Sequence, residues 1–292
     1  MVKSTASHDA RERARQVASK QAKNTKKGSG WIKATVALLA VAIIAIVATV
    51  IINTNRNKID DAGPIPESSN VHGGIVMDKA GIKKGSSDEP SRDINSLKSA
   101  TASHTVTQGA QQTPLPNGIE PAQQAKKNGE PVKLVIFQDY NCVHCAEFER
   151  QYGDSVQKLV NEGKVTLEIR NLTFLDAQSP NKYSARTANA AYSVANQIST
   201  DQFLEFQKEI FSHQGQGGLS NDEIIEIAKK HGADISEDMK NDSWRSLVNV
   251  VTQESSQNGI SGTPTIFADG QQYTTTDFNA WIDEIIKAKE KK

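Results

Sequence analysis

The two cysteines of this 292-residue chain, Cys142 and Cys145, stand three positions apart with Val143 and His144 between them. A pair so close cannot staple distant parts of the chain, so the fold must be held by burial, packing and hydrogen bonding alone. Their spacing suits two chemistries, a redox pair or half of a metal site. A structural zinc site takes four ligands, and a second cysteine pair is absent. His8, His72, His104, His213 and His231 are scattered, and none forms a tight spacing with the pair. The pair therefore reads as a redox centre, with no metal and no other cofactor expected.

The surroundings of the pair read as alternating strand and helix. Val132, Leu134, Val135, Ile136 and Phe137 form a short, dense apolar run, which suits a strand buried on both faces. A helix is expected to begin at the cysteines, with Phe148, Val156, Leu159 and Val160 on its apolar face and Gly163 at its end. Val165, Leu167 and Ile169 alternate with polar residues as a second strand. From about Pro180 to Gly259 the periodicity is helical, through Ala188, Ala191, Tyr192 and Ala195, then Phe203, Phe206 and Ile210, and later Trp244, Leu247, Val248 and Val251. Within it Asn221 is a candidate cap and Gly232 a candidate stop. The aromatics in this block read as core. Thr265–Ala268 is extended, Asp269-Gly270 signals a two-residue hairpin, and a last helix from near Thr276 carries Phe278, Trp281, Ile282 and Ile285 on one face.

The N-terminal half has a different texture. Residues 1–33 hold nine Lys/Arg against Asp9 and Glu12, a basic tail. Next to it, Ala34 to Ile52 runs without a charge, and as a helix would span roughly 28 Å, close to the hydrocarbon thickness of a bilayer. This run exceeds the apolar core of a cleaved signal peptide and no small-x-small pattern follows Ile46, so a retained anchor is expected. Lys20, Lys23, Lys26, Lys27 and Lys33 precede it, against only Arg56 and Lys58 after it. The N-terminus is therefore expected in the cytoplasm and the rest outside, in a compartment that tolerates disulfides. A basic tail abutting an anchor is explained by topology, so no nucleic-acid partner is expected. Residues 53–130, rich in Ser, Gly, Pro, Asn and Gln, read as mostly flexible linker, with Val71 to Met77 as a short strand joining the edge of a domain at 131–292.

A thiolate is the reactive form of cysteine, and a helix N-terminus with its unpaired N–H groups favours an anion. Cys142 is placed there, Cys145 lies one turn inside, and His144 is expected to lower the Cys142 pKa further. The order strand, CxxC helix, strand, helical block, hairpin, helix looks like a thioredoxin-like α/β fold with a helical domain inserted at about 180–259. Through Phe137-Gln138-Asp139-Tyr140-Asn141-Cys142-Val143-His144-Cys145 and Gly259-Ile260-Ser261-Gly262-Thr263-Pro264-Thr265, the chain resembles the DsbA-like thiol–disulfide oxidoreductases. The resemblance runs from Pro131 to the C-terminus.

That resemblance implies oxidation of cysteine pairs in exported proteins, a membrane oxidase that restores the Cys142–Cys145 disulfide, a cis bond before Pro264, and a substrate-binding role for Thr263 and Pro264. Two positions depart from the related patterns. Val143 stands where the family usually has Pro, which puts the redox tuning in question. Ile136 stands six residues before Cys142, where many thioredoxin-fold enzymes carry an acid. Asp139 reads as a loop or helix-entry carboxylate. A reductase or isomerase on the same scaffold is the alternative enzyme, and a surface-tethered Cu(I) chaperone using Cys142, Cys145 and His144 is the non-enzyme alternative.

Overall fold

A computed structural model describes residues 59–85, 87–101, 115–179, 181–215 and 217–290, together with Glu12, Arg13, Arg15 and Gln16. Those four residues apart, the expected tail at 1–33 lies outside the described residues, as does the expected anchor at 34–52. Among the described residues no helix is long and apolar enough to cross a membrane. Ile59–Lys292 form one compact unit.

In chain order the elements of that unit are β1 (Ala62–Pro64), β2 (Gly74–Asp78), β3 (Gly81–Ile82), β4 (Ser91–Asp93), α1 (Ile94–Thr101), the one-turn α2 (Ala122–Ala125), β5 (Val132–Gln138), α3 (Val143–Asn161), β6 (Val165–Asn171), a 3-10 turn (Asp176–Gln178), α4 (Tyr183–Ala195), α5 (Thr200–Ser212), α6 (Asn221–Lys230), α7 (Ser236–Asn241), α8 (Arg245–Gln257), β7 (Thr265–Ala268), β8 (Gln271–Gln272) and α9 (Phe278–Glu290). The main sheet has the order β3-β2-β6-β5-β7-β8. β5 lies inside it, parallel to β6 and antiparallel to β7. Val132, Leu134, Val135, Ile136 and Phe137 are all buried, so helices cover both faces of this strand. The right-handed β5–α3–β6 crossover expected of a parallel pair brings the start of α3 to the C-terminal end of β5. Gly163, with φ +69°, stops α3, and its N–H donates to Val160 O at 2.9 Å. Asp269 and Gly270, both with φ > 0, turn β7 into β8 as the Asp-Gly pair predicts.

Two features differ from expectation. Beyond the expected edge strand, which is β2 against β6, residues assigned mostly to a linker contribute, from Ile59 on, β1 paired with β4 and the short β3 paired with β2. Few apolar groups suffice there, because the backbone ladder with β6 and the fully buried Ile75 and Met77 supply the cohesion. The small polar residues that suggested a loop are satisfied inside: Asn196 Oδ1 accepts Ser68 N–H at 2.9 Å, and Tyr192 O–H donates to Gly73 O at 2.7 Å. The polar face of β6 is also buried. Glu168 pairs with Arg170 at 2.6 Å and with Lys133 at 2.8 Å, and Arg170 donates to Asn117 O at 2.7 Å, so β2 and the stretch around Asn117 close over charges that alternation alone would put in water. A smaller correction concerns α6: its cap is Ser220, in a reciprocal box with Glu223, and Asn221 is the first helical residue.

Candidate active site

β5 ends at Gln138, and Asp139-Tyr140-Asn141 carry the chain to Cys142, the N-cap of α3. Its backbone is extended (φ −89°, ψ 119°), its N–H bonds Asp139 O at 3.0 Å, and its carbonyl accepts Ala146 N–H at 3.1 Å. No side chain caps this helix, which leaves first-turn amides for the sulfur. The Cys142 thiol is lowered to about 5, first by a hydrogen bond from the Cys145 thiol, against the opposing effect of burial. Hydrogen bonds from Thr263 and from the N–H groups of Cys145 and His144 add to it. Cys142 Sγ also lies 3.2 Å from Thr263 O. Cys145 is pushed the other way, far above its ordinary value, by burial first and by its bond to Cys142 second. Both cysteines are free. The pair is therefore built as one thiolate and one thiol, with the Cys145 S–H donated to the Cys142 sulfur.

The expected site residues fall into two groups. Cys142, Cys145 and Thr263 meet, and the Thr263–Pro264 peptide is cis, as the resemblance implied. The side chain of His144 is turned outward: it is 73 % exposed, and its Nδ1 lies 2.9 Å from Glu147 Oε2. Glu147 raises its pKa, first by that hydrogen bond and then by its charge, with Cys142 contributing least. The three donors of the copper alternative are accordingly not gathered. Val143 is the one exposed large apolar side chain among the described residues, at 52 %. Both residues are buried, Cys142 at 5 % exposure and Cys145 at 3 %, and what separates the sulfurs is the balance of donors at Cys142 against burial at Cys145.

Sequence reasoning missed two carboxyls. Asp139 is fully buried, not a surface helix-entry group, and its pKa is raised to about 6 by burial, against stabilisation by Ser184 and the amides of Leu175 and Asn141. Glu149, one turn beyond Cys145, is raised to about 7 by burial, against a hydrogen bond from Gln207. The one signal for Asp139 was local. An Asp two residues before Asn141 at a strand end can form an Asx turn, and it does, with Asn141 N–H 2.8 Å from Oδ1. Nothing local marks Glu149, because Gln207 lies on α5.

A family model described as Thioredoxin matches residues 127–288. The chain belongs to the thioredoxin family. Its thioredoxin domain has a sheet and a helical block in the order read from the sequence. Among curated proteins, this thioredoxin-family chain is 26% identical over 169 residues to the serine/threonine-protein kinase PknE of Mycobacterium tuberculosis, a match covering 53% of this chain and 30% of that protein. The chain thus spans under a third of the length of the curated relatives it matches. Similar solved structures include reduced DsbG of M. tuberculosis (27% identity, TM-score 0.47, covering 54% of this chain and 77% of that one). Reduced DsbA of M. tuberculosis matches with 25% identity and a TM-score of 0.47, covering 60% of this chain and 91% of that one. Oxidised BdbD of Bacillus subtilis matches with 21% identity and a TM-score of 0.49, covering 61% of this chain and 100% of that one.

Proposed function

We propose that the chain is a thiol–disulfide oxidoreductase that oxidises cysteine pairs in exported proteins through a Cys142–Cys145 disulfide. The observation that supports this reading is the opposed setting of the two sulfurs, Cys142 acidic and Cys145 held as a thiol. In the reaction, a substrate thiolate attacks the Cys142 sulfur of the disulfide, and Cys145 leaves as a thiolate and takes up a proton. A second substrate thiol, after losing its proton, attacks the substrate sulfur of the mixed disulfide and expels Cys142 as the thiolate. The substrate gives up two electrons and gains a disulfide, and the enzyme ends as the dithiol pair described above. A stabilised Cys142 thiolate favours the reduced enzyme, and so makes the disulfide a better oxidant.

On this reading Thr263 and Pro264 present the loop against which substrate lies, and Val143 tunes the pair and offers it an apolar surface. A membrane oxidase would return the disulfide. The charge asymmetry about residues 34–52 supports a single-pass anchor with the thioredoxin domain outside the cell. The deciding measurement is the reduction potential of the Cys142–Cys145 couple against glutathione. A value above about −180 mV is expected; one near −270 mV would make the chain a reductase instead.

A further inference from the structure

Asp139 touches more of the site than its place in the sequence suggests. Its main chain reaches both cysteines: its carbonyl accepts Cys142 N–H at 3.0 Å, and its N–H hydrogen-bonds the Cys145 sulfur. Its carboxylate ties down two separate stretches of backbone. Oδ1 accepts Asn141 N–H at 2.8 Å, in the turn that leads into α3, and Oδ2 accepts Leu175 N–H at 3.0 Å, in the passage from β6 to the helical block. The Ser184 hydroxyl of α4, buried and without a hydrogen-bond partner of its own, stands beside the carboxylate and favours its ionised form.

Among the described residues no Lys or Arg forms an ion pair with Asp139, and the charged group that faces it is Asp176 of the 3-10 turn, which disfavours its ionisation. Asp176 is itself occupied, accepting Ala185 N–H at 3.1 Å. A fully buried carboxylate with no cation is held by its donors alone, and hydrogen bonds to a charged acceptor are about twice as strong as neutral ones. Such a group is costly to keep unless its placement matters, and the segment it fixes is the one that delivers the His144 and Cys145 amides to the Cys142 sulfur.

We propose that Asp139 is a positioning residue, whose carboxylate clamps the approach to the CxxC helix onto the start of the helical block and so holds the first-turn amides against Cys142. The proposal rests on the proposed function, in which Cys142 is the exchanging sulfur of the pair. It acts through geometry, because the carboxylate's own negative charge would by itself disfavour a neighbouring thiolate.

The two effects have opposite signs, which makes the test sharp. Asp139→Asn keeps the size and one acceptor, but turns an NH2 toward Leu175 N–H, so one arm of the clamp is lost. With the fold verified by circular dichroism, the Cys142 thiolate is titrated by absorbance and the dithiol–disulfide equilibrium is measured against glutathione. A rise of roughly one unit in the Cys142 pKa, and a shift of about tenfold in that equilibrium toward the disulfide, are expected. An unchanged titration and equilibrium would overturn the assignment, and so would a fall in the pKa, which would make Asp139 a plain repelling charge. Should Asp139→Asn not fold, Ser184→Ala leaves both amides in place and removes the hydroxyl that favours the ionised carboxylate. It is expected to move the Cys142 pKa upward by a smaller amount, and no movement there overturns the proposal equally. Mass-resolved alkylation of the unsubstituted protein separates the two levels of failure. If Cys145 reacts first, the functional reading and the role of Asp139 both fall. If Cys142 reacts first and the variants do nothing, only the role of Asp139 falls.

Discussion

A thiolate in a protein is held by the donors that point at it, and at Cys142 these are a thiol, a hydroxyl and two amides rather than a cation. Two consequences can be measured at single residues. Cys145 is the first of these donors, so it is more than a leaving group. Cys145→Ser retains an O–H in its place and should keep Cys142 acidic, whereas Cys145→Ala should raise the Cys142 pKa by about one unit or more. Thiolate absorbance against pH reads both, and equal curves for the two variants would remove Cys145 from the list of donors. In the same assay His144→Ala should move the Cys142 pKa by less than about half a unit, because its imidazole pairs with Glu147 while its amide, which any residue supplies, stays in place. A larger rise would restore the through-space role that the CxxC pattern suggested. The alkylation rate of Cys142 in Cys145→Ser should exceed that of Cys145 in Cys142→Ser by about 100-fold at neutral pH, following the thiolate fraction.

At the level of elements, what was legible in the sequence is what local chemistry dictates. The dense run in β5, the Gly163 stop, the Asp269-Gly270 turn and the aromatic face of α9 are each set within a few residues, and each is where periodicity and turn chemistry put it. The same holds for Cys142 at a helix start. What could not be read depends on partners far along the chain. The edge strand at Val71 to Met77 is legible, but its partner β6, some ninety positions later in register (Gly74 opposite Arg170), is not, and the burial of Glu168 becomes intelligible only with Lys133 and Arg170 beside it. Burial pushes Glu168 upward, but Arg170 and Lys133 outweigh it and hold the carboxyl at about 2. Its folded pKa is below its ordinary value, so its contribution is complete above about pH 4.5 and is lost as pH falls through about 2. Glu168→Gln leaves the buried Arg170 and the partly exposed Lys133 short of their counter-charge, and is expected to cost about 3–5 kcal/mol by denaturant titration at neutral pH. A cost below about 1 kcal/mol would mean that β2 and the stretch around Asn117 do not seal this network from water.

For the whole molecule, the ionisable groups around the CxxC make stability depend on redox state and pH together. Asp139 and Glu149 have raised folded values, about 6 and about 7, so the folded protein holds their protons more tightly than the unfolded chain. Each therefore withdraws stability as pH rises from its ordinary carboxyl range through its folded value. The Cys142 thiol has the opposite sign: it is an acid lowered from about 9 to about 5, so the stability it contributes is absent below pH 5 and accumulates as pH rises toward 9. Cys145 adds nothing in this window, since its thiol is un-ionised in the folded protein and ionises in the unfolded chain only near its ordinary value. In the disulfide form neither sulfur titrates, while the two carboxyls remain. The reduced and oxidised proteins should therefore have stability profiles that diverge upward from about pH 5. The reduced form should gain about 2–3 kcal/mol on the oxidised one between pH 5 and pH 7, at about 1.4 kcal/mol per unit. Guanidinium unfolding of both redox forms at those two pH values measures the difference. The stability that the reduced protein gains from Cys142 between pH 5 and pH 7 should be smaller in Cys145→Ala, where the main donor is gone. Parallel profiles for the two redox forms would mean that the Cys142 thiolate is not stabilised by the fold, and the account of the disulfide as an oxidant would fail with it.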